Sequence, residues 1–153
     1  MKRQRKTTKK RSSTRKKNLG KYASSLEKYC ATQLKQYGLA FDYEQHVYEL
    51  MGKFKFPNKY YKMTAKGKDM VDKTGSTILP ITYKPDFVGK DYDWIIETKG
   101  YIRSHHDFPM RWKLFMQHLA GTDSKTIIFL AKNSSQVDHA IQEILESIKN
   151  GDI

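Results

Sequence analysis

Asp86, directly after Pro85, and the triplet Glu97-Thr98-Lys99 are the residues whose types and spacing could do chemistry. Side chains alternate faces along a strand, so Ile95, Glu97 and Lys99 share one face if this stretch is extended. Gly89-Lys90-Asp91-Tyr92-Asp93 reads as a turn. A hairpin of that length brings Asp86 beside Glu97. Two carboxylates about 4 Å apart repel by roughly 4 kcal/mol at an effective dielectric near 20. A divalent cation between them removes that cost. The carboxylates, the peptide carbonyl between Glu97 and Thr98, and water are hard ligands of the kind Mg²⁺ or Mn²⁺ prefers. Such an ion lowers the pKa of a bound water and screens charge building on a phosphate. Lys99 beside it would orient that water or stabilise the negative transition state.

The elements that must position these residues can be read on both sides. Residues 1–21 are dominated by Lys, Arg, Ser and Thr, with no helical or strand period, and read as a disordered arm. Residues 22–153 form the expected folded domain. Ser24-Ser25-Leu26-Glu27 has the spacing of a capping box. Leu26, Cys30, Leu34 and Tyr37 follow at helical spacing, and Gly38 supplies a stop. Phe41, Tyr43 and Val47 fit a strand. Residues 51–80, rich in Lys, Gly, Tyr and Met, read as a basic insertion in the form of a long hairpin. Ile81 to Val88 reads as a strand broken or entered at Pro85, and Trp94 to Lys99 as the next strand. Phe108 to Ala120 is predicted helical, with Pro109 in its first turn and Gly121 at its end. Thr126 to Leu130 is a buried-type strand. Val137, Ala140, Ile141, Ile144, Leu145 and Ile148 mark an amphipathic helix that starts near Ser134 or Ser135 and stops at Gly151. The expected class is α/β with a central mixed sheet flanked by helices, in the order α-β-β-β-α-β-α.

Pro85-Asp86 followed by Glu97-Thr98-Lys99 is the P-D…(D/E)-x-K signature of the restriction-endonuclease-like nucleases. The surrounding residues are more specific. Ser25-Leu26-Glu27, Gln33-Leu34, Gly38, Phe41-x-Tyr43-Glu44, Tyr83-x-Pro85-Asp86-Phe87 and Glu97-Thr98-Lys99-Gly100 resemble the phage endonuclease I family of Holliday-junction resolvases, over roughly residues 22–50 and 81–131. The resemblance implies a restriction-endonuclease-like core and a catalytic set of Glu27, Asp86, Glu97 and Lys99. It also implies one or two Mg²⁺ or Mn²⁺ ions per site, held by Asp86, Glu97, Thr98 and Glu27, and an intertwined homodimer that cuts branched DNA. Residues 51–80 interrupt the region linking the family's exchanged elements. The last helix here lacks the basic C-terminal segment of the family.

Each candidate also has a plainer role. Glu27 fits the third helical position of a capping box, and Asp86 could close a turn after Pro85. Glu97 and Lys99 could be an exposed strand pair, although Trp94, Ile95 and Ile96 argue for a buried strand, where paired charges need a purpose. Glu44 reads as a solvated carboxylate at a strand edge. Adjacent histidines on a loop rarely address one ion, so His105-His106-Asp107 reads as phosphate-facing, with Arg103 and Arg111, and not as a zinc site. His118 fits the edge of a core. Cys30 lies on an apolar stripe without a histidine partner, which argues against a thiol nucleophile.

Charge narrows the partners. Of the 153 residues, 29 are Lys or Arg and 16 Asp or Glu, for a net +13. Residues 1–21 hold eleven basic and no acidic side chains, and residues 51–80 hold seven and two. The rest is nearly neutral. This favours a polyanion, most simply nucleic acid. Candidate DNA contacts are Arg11, Arg15, Lys16 and Lys17 in the arm, Lys53, Lys55, Lys59 and Lys62 in the insertion, and Arg103, His105 and Arg111 after the E-x-K strand. Between Lys53 and Lys73, lysines interleave with Phe54, Phe56, Tyr60 and Tyr61, a pattern that grips a strand by phosphate contact and stacking, or simply forms a hairpin with its aromatics turned inward. No run of 18 apolar residues exists, so no membrane span is expected. One cysteine suits a reducing, cytoplasmic compartment. The chain therefore reads as a Mg²⁺-dependent DNA endonuclease without a nucleotide cofactor. A non-catalytic DNA-packaging protein on a nuclease-like fold, and a related nuclease without junction preference, are the alternatives.

Overall fold

A computed structural model describes residues 18–64, 66–100 and 106–153. Most of the basic arm, with Arg11, Arg15, Lys16 and Lys17, lies outside these residues, as do Arg103 and His105. Over the described residues the fold is mixed α/β, with three helices and a mixed sheet.

Helix α1 (Ser25–Gln36) starts where the capping box predicts: the Ser24 hydroxyl accepts from the Glu27 N–H at 3.1 Å. It stops at Gly38, whose φ of +71° only glycine adopts readily. Cys30 and Leu34 are buried, whereas Tyr37 at the C-cap is exposed and does not extend the apolar stripe. Strand β1 (Phe41–Tyr43) follows. The predicted strand does not continue through Val47, which is exposed in the loop before β2 (Tyr48–Met51).

Residues 48–83 form a stepped antiparallel hairpin. Strand β2 pairs with β7 (Ile81–Tyr83), β3 (Phe54–Lys55) with β6 (Thr77–Ile78), and β4 (Tyr61–Met63) with β5 (Met70–Asp72). The break at Lys84-Pro85-Asp86 is more than an interruption: it transfers the chain from this hairpin into the main sheet, where β8 (Phe87–Gly89) begins. Proline lacks the N–H that a continuing ladder needs.

The main sheet has the order β1-β8-β9-β10, with β9 at Trp94–Thr98 and β10 at Ile127–Ala131. β1, β8 and β9 are antiparallel neighbours, and β10 runs parallel to β9. Helix α2 (Phe108–Ala120) makes the crossover between the parallel pair, and α3 (Ser134–Asn150) follows β10. Helix α3 starts at Ser134, within the expected range, and its N-cap is Asn133, whose side chain accepts from the Gln136 N–H. Without the hairpin, the succession is α1, β1, β8, β9, α2, β10, α3.

Alternation along β9 divides the interior. Trp94 and Ile96 join Cys30, Leu34, Phe87, Val137, Ile141 and Ile144 under α1 and α3. Ile95 joins Tyr83, Phe108 and Phe115 under α2 and the base of the hairpin. Glu97 has the parity of Ile95, so its carboxylate emerges between α2 and the hairpin base.

Candidate active site

The ladder fixes the central pair. Phe87 lies opposite Ile96 and Val88 opposite Ile95. One step further along, Asp86 meets Glu97. The contact is reciprocal: the Asp86 N–H donates to Glu97 Oε2 at 3.2 Å, while the Thr98 N–H and hydroxyl donate to Asp86 Oδ2 at 2.8 and 2.7 Å. Asp86, Glu97 and Thr98 are all buried. Lys99 places its ammonium 2.6 Å from Glu97 Oε1 and 4.8 Å from the centre of the Phe108 ring. The four central residues are thus brought together by strand register.

Burial and the neighbouring Glu97 charge push the Asp86 carboxyl up to about 7, against the smaller opposing effect of the Thr98 hydrogen bonds. Burial pulls the Lys99 ammonium down, but its hydrogen bond and charge pairing with Glu97, aided by Asp86 and Glu27, outweigh this and leave its pKa raised. The site therefore holds two carboxylates against one ammonium.

These residues line an open cavity of about 250 Å³, together with Glu44, Thr82, Tyr83, Lys84, Asp107, Phe108 and Arg111. Arg111 is anchored by Asp107 at 2.7 Å and by the Thr82 carbonyl, also at 2.7 Å, which turns its guanidinium to the cavity wall. Lys84 pairs with Glu44 at 3.6 Å across the rim. Glu44 has a φ of +50°, rare for a residue with a side chain, and its N–H donates to the Asp86 carbonyl at 2.9 Å. Sequence reading missed Lys84 and Phe108, because a residue before Pro85 and the first residue of a helix carry no motif. Both reach the site through tertiary packing.

Glu27 stands apart. It is buried, but its carboxylate accepts from the Ala23 N–H at 2.8 Å and from the Tyr43 hydroxyl, and it does not line the cavity. Among the described residues, no three His, Cys, Asp or Glu side chains converge where they could hold one ion. The acidic centre is a pair, with Glu27 tied into the helix start. Thr98 likewise spends its N–H and hydroxyl on Asp86.

The remaining candidates separate by location. Lys53, Lys55, Lys59 and Lys62 are exposed on the hairpin, away from the cavity lining. His118 is half-buried and packs edge-on against Tyr48. Cys30 is fully buried, and burial, then Asp86 and Glu27, drive its thiol pKa far up, which suits an inert core group. No described helix is long and apolar enough to cross a membrane. Comparison with family models, with curated proteins and with solved structures finds no match for this chain.

Proposed function

We propose that this chain is a metal-dependent DNA endonuclease with a restriction-endonuclease-like core. The observation that carries the proposal is the buried Asp86–Glu97 pair, with Lys99 at 2.6 Å, at the wall of an open cavity. Two buried carboxylates against one ammonium, one of them with its pKa displaced to about 7, are an electrostatic liability that a divalent cation relieves. The donor set fits Mg²⁺ or Mn²⁺: hard oxygens, with no sulfur or imidazole among the described residues that line the cavity.

Asp86 and Glu97 would hold the ion. When bound, it activates a water and offsets charge on the scissile phosphate. The protein supplies the rest. Thr98 fixes the Asp86 rotamer, and the Asp86 N–H fixes that of Glu97. Lys99, held by Glu97 and Phe108, offers an ammonium to the attacked phosphate. Arg111 and Lys84 line the same cavity and would bind the non-reacting phosphate oxygens. The lysines of the hairpin and the basic arm would add contacts to the DNA backbone, which position the substrate without reading its sequence.

Branched DNA as substrate, and a homodimer with two sites on a two-fold junction, are supported by the resemblance to the phage endonuclease I family. The test is incubation of a four-way junction and a matched linear duplex with Mg²⁺ or EDTA, beside Glu97→Ala. Paired cuts near the branch that need Mg²⁺ and vanish in the variant are expected. Tight binding without cleavage in Mg²⁺ or Mn²⁺ overturns the nuclease reading in favour of a packaging role. Equal cutting of the linear duplex overturns the branch preference alone.

A further inference from the structure

The outer part of the hairpin is unusual for a surface ribbon. Two-stranded segments expose both faces and are marginal alone, yet this one displays Phe54, Tyr61, Met63 and Met70 to solvent. Phe54, Phe56, Tyr60 and Ile78 enclose an open apolar recess of about 290 Å³. Two of its walls are aromatic rings set at 87°, with centres 6.1 Å apart. Lys53, Lys55 and Lys59 alternate with these rings along the chain and are exposed. Across residues 51–80 seven lysines face two acidic residues.

The charge chooses the occupant. A second copy of the chain would set one basic ribbon against another. A nucleic-acid strand instead offers flat apolar bases to the recess and phosphates to its lysine border. Paired bases are hidden in the duplex stack, so only an extrahelical or branch-point base can enter. The recess is also close to the candidate active site. Ile78 is five residues from Tyr83, which lines the catalytic cavity. That is at most about 18 Å of chain, or roughly five nucleotide steps.

We propose that this recess binds one unpaired base of the DNA held at the Asp86–Glu97 cavity, stacked on Tyr60 or Phe56 with its flanking phosphates on the adjacent lysines. The proposal rests on the nuclease reading and adds to it the feature of branched DNA that the protein recognises: an unstacked base near the cut.

The experiment uses the full chain in EDTA at one fixed salt concentration. The probe is a duplex with a single extrahelical 2-aminopurine, beside the same fluorophore fully paired. The protein should change the emission of the extrahelical base only. Phe56→Ala with Tyr60→Ala should abolish that change and weaken binding of the bulged duplex by about five- to twentyfold, with binding of the paired duplex altered less than twofold. Phe56→Leu with Tyr60→Leu keeps both walls apolar without an aromatic face, guards against misfolding, and should also lose the emission change. Equal weakening on both DNAs, no weakening, or an altered sedimentation coefficient of the free protein without a base-specific loss overturns the proposal. The last result would assign the recess to a second copy. EDTA prevents the reaction, so a negative result counts against the recess alone. The nuclease reading is tested separately by Mg²⁺-dependent cutting and Glu97→Ala.

Discussion

Thr98 donates twice to one oxygen of Asp86, from its N–H at 2.8 Å and its hydroxyl at 2.7 Å. Each strand thereby secures the other's acid, since the Asp86 N–H in turn reaches Glu97. Thr98→Val keeps the shape and removes one of the two bonds. A hydrogen bond to a charged group contributes about 1.5–3 kcal/mol. The variant should therefore lose that much stability at pH 8, where Asp86 is ionised, and less at pH 5, where it is protonated. Cleavage should fall about 10- to 100-fold, as when a metal ligand loses its supporting partner. Urea unfolding at the two pH values checks the first expectation, and single-turnover cleavage the second.

Asp86 itself should set a pH dependence of stability. Its carboxyl has a pKa near 7 in the folded protein, against about 3.9 in an unfolded chain. Between those values the folded state binds more protons, so stability falls as pH rises from about 4 to 7 and then levels, by an amount on the order of a few kcal/mol. Asp86→Asn, which can still accept from Thr98, should flatten this slope and raise the unfolding midpoint of the metal-free protein at pH 8 while abolishing cleavage. Mg²⁺ should raise the wild-type midpoint more at pH 8 than at pH 5, and should leave the Asp86→Asn midpoint nearly unmoved. A thermal-melt series over pH 4 to 9, with and without Mg²⁺, reads all of these.

Local chemistry made much of this arrangement legible. Ser24 and Glu27, Gly38, Pro109 and Gly151 mark helix ends by rules that act within one turn, and α1, α2 and α3 start or stop beside them. Glu97 and Lys99 share a face because strand parity is local. What was hidden depends on partners distant in sequence. Nothing around Val47 reveals that β2 leaves the main sheet to pair with β7, because the choice is made by Tyr83 and the packing under α2. The place of Glu27 in a buried contact with Tyr43 depends on how α1 lies across β1. The spacing of the motif alone is equally compatible with a carboxylate turned to the cavity.

Gly89 tests whether register builds the site. A side-chain carbon there would lie 2.3 Å from the Tyr92 carbonyl oxygen and 2.7 Å from the Trp94 indole. Neither neighbour can retreat: one is backbone in the β8–β9 turn, and Trp94 is fully buried. Gly89→Ala should cost about 1–3 kcal/mol, as overpacking does. The strain falls at the turn that sets Phe87 opposite Ile96, so cleavage should drop even at temperatures where the variant is fully folded. An unfolding midpoint equal to wild type would show that the turn has room the geometry denies.

Glu27 separates the two roles that its sequence position allowed. Its carboxylate takes the Ala23 N–H at 2.8 Å and the Tyr43 hydroxyl, and so ties the start of α1 to β1. Burial, reinforced by Glu27, drives the Tyr43 hydroxyl pKa far up, so the tyrosine remains the donor throughout the accessible pH range. Glu27→Ala should cost about 2 kcal/mol, one charge-assisted bond and part of a cap. Tyr43→Phe should cost less, and the double variant should lose less than the two singles together, because they remove the same bond. Glu27→Gln keeps an acceptor for Ala23 or Tyr43 and should retain more than about a tenth of wild-type cleavage, whereas Asp86→Asn should fall below about a hundredth, the loss expected when a group at the reacting centre is removed. If Glu27→Gln folds as wild type and cuts no better than Asp86→Asn, its carboxylate turns to the metal during the reaction, and the contact with Tyr43 is its resting position.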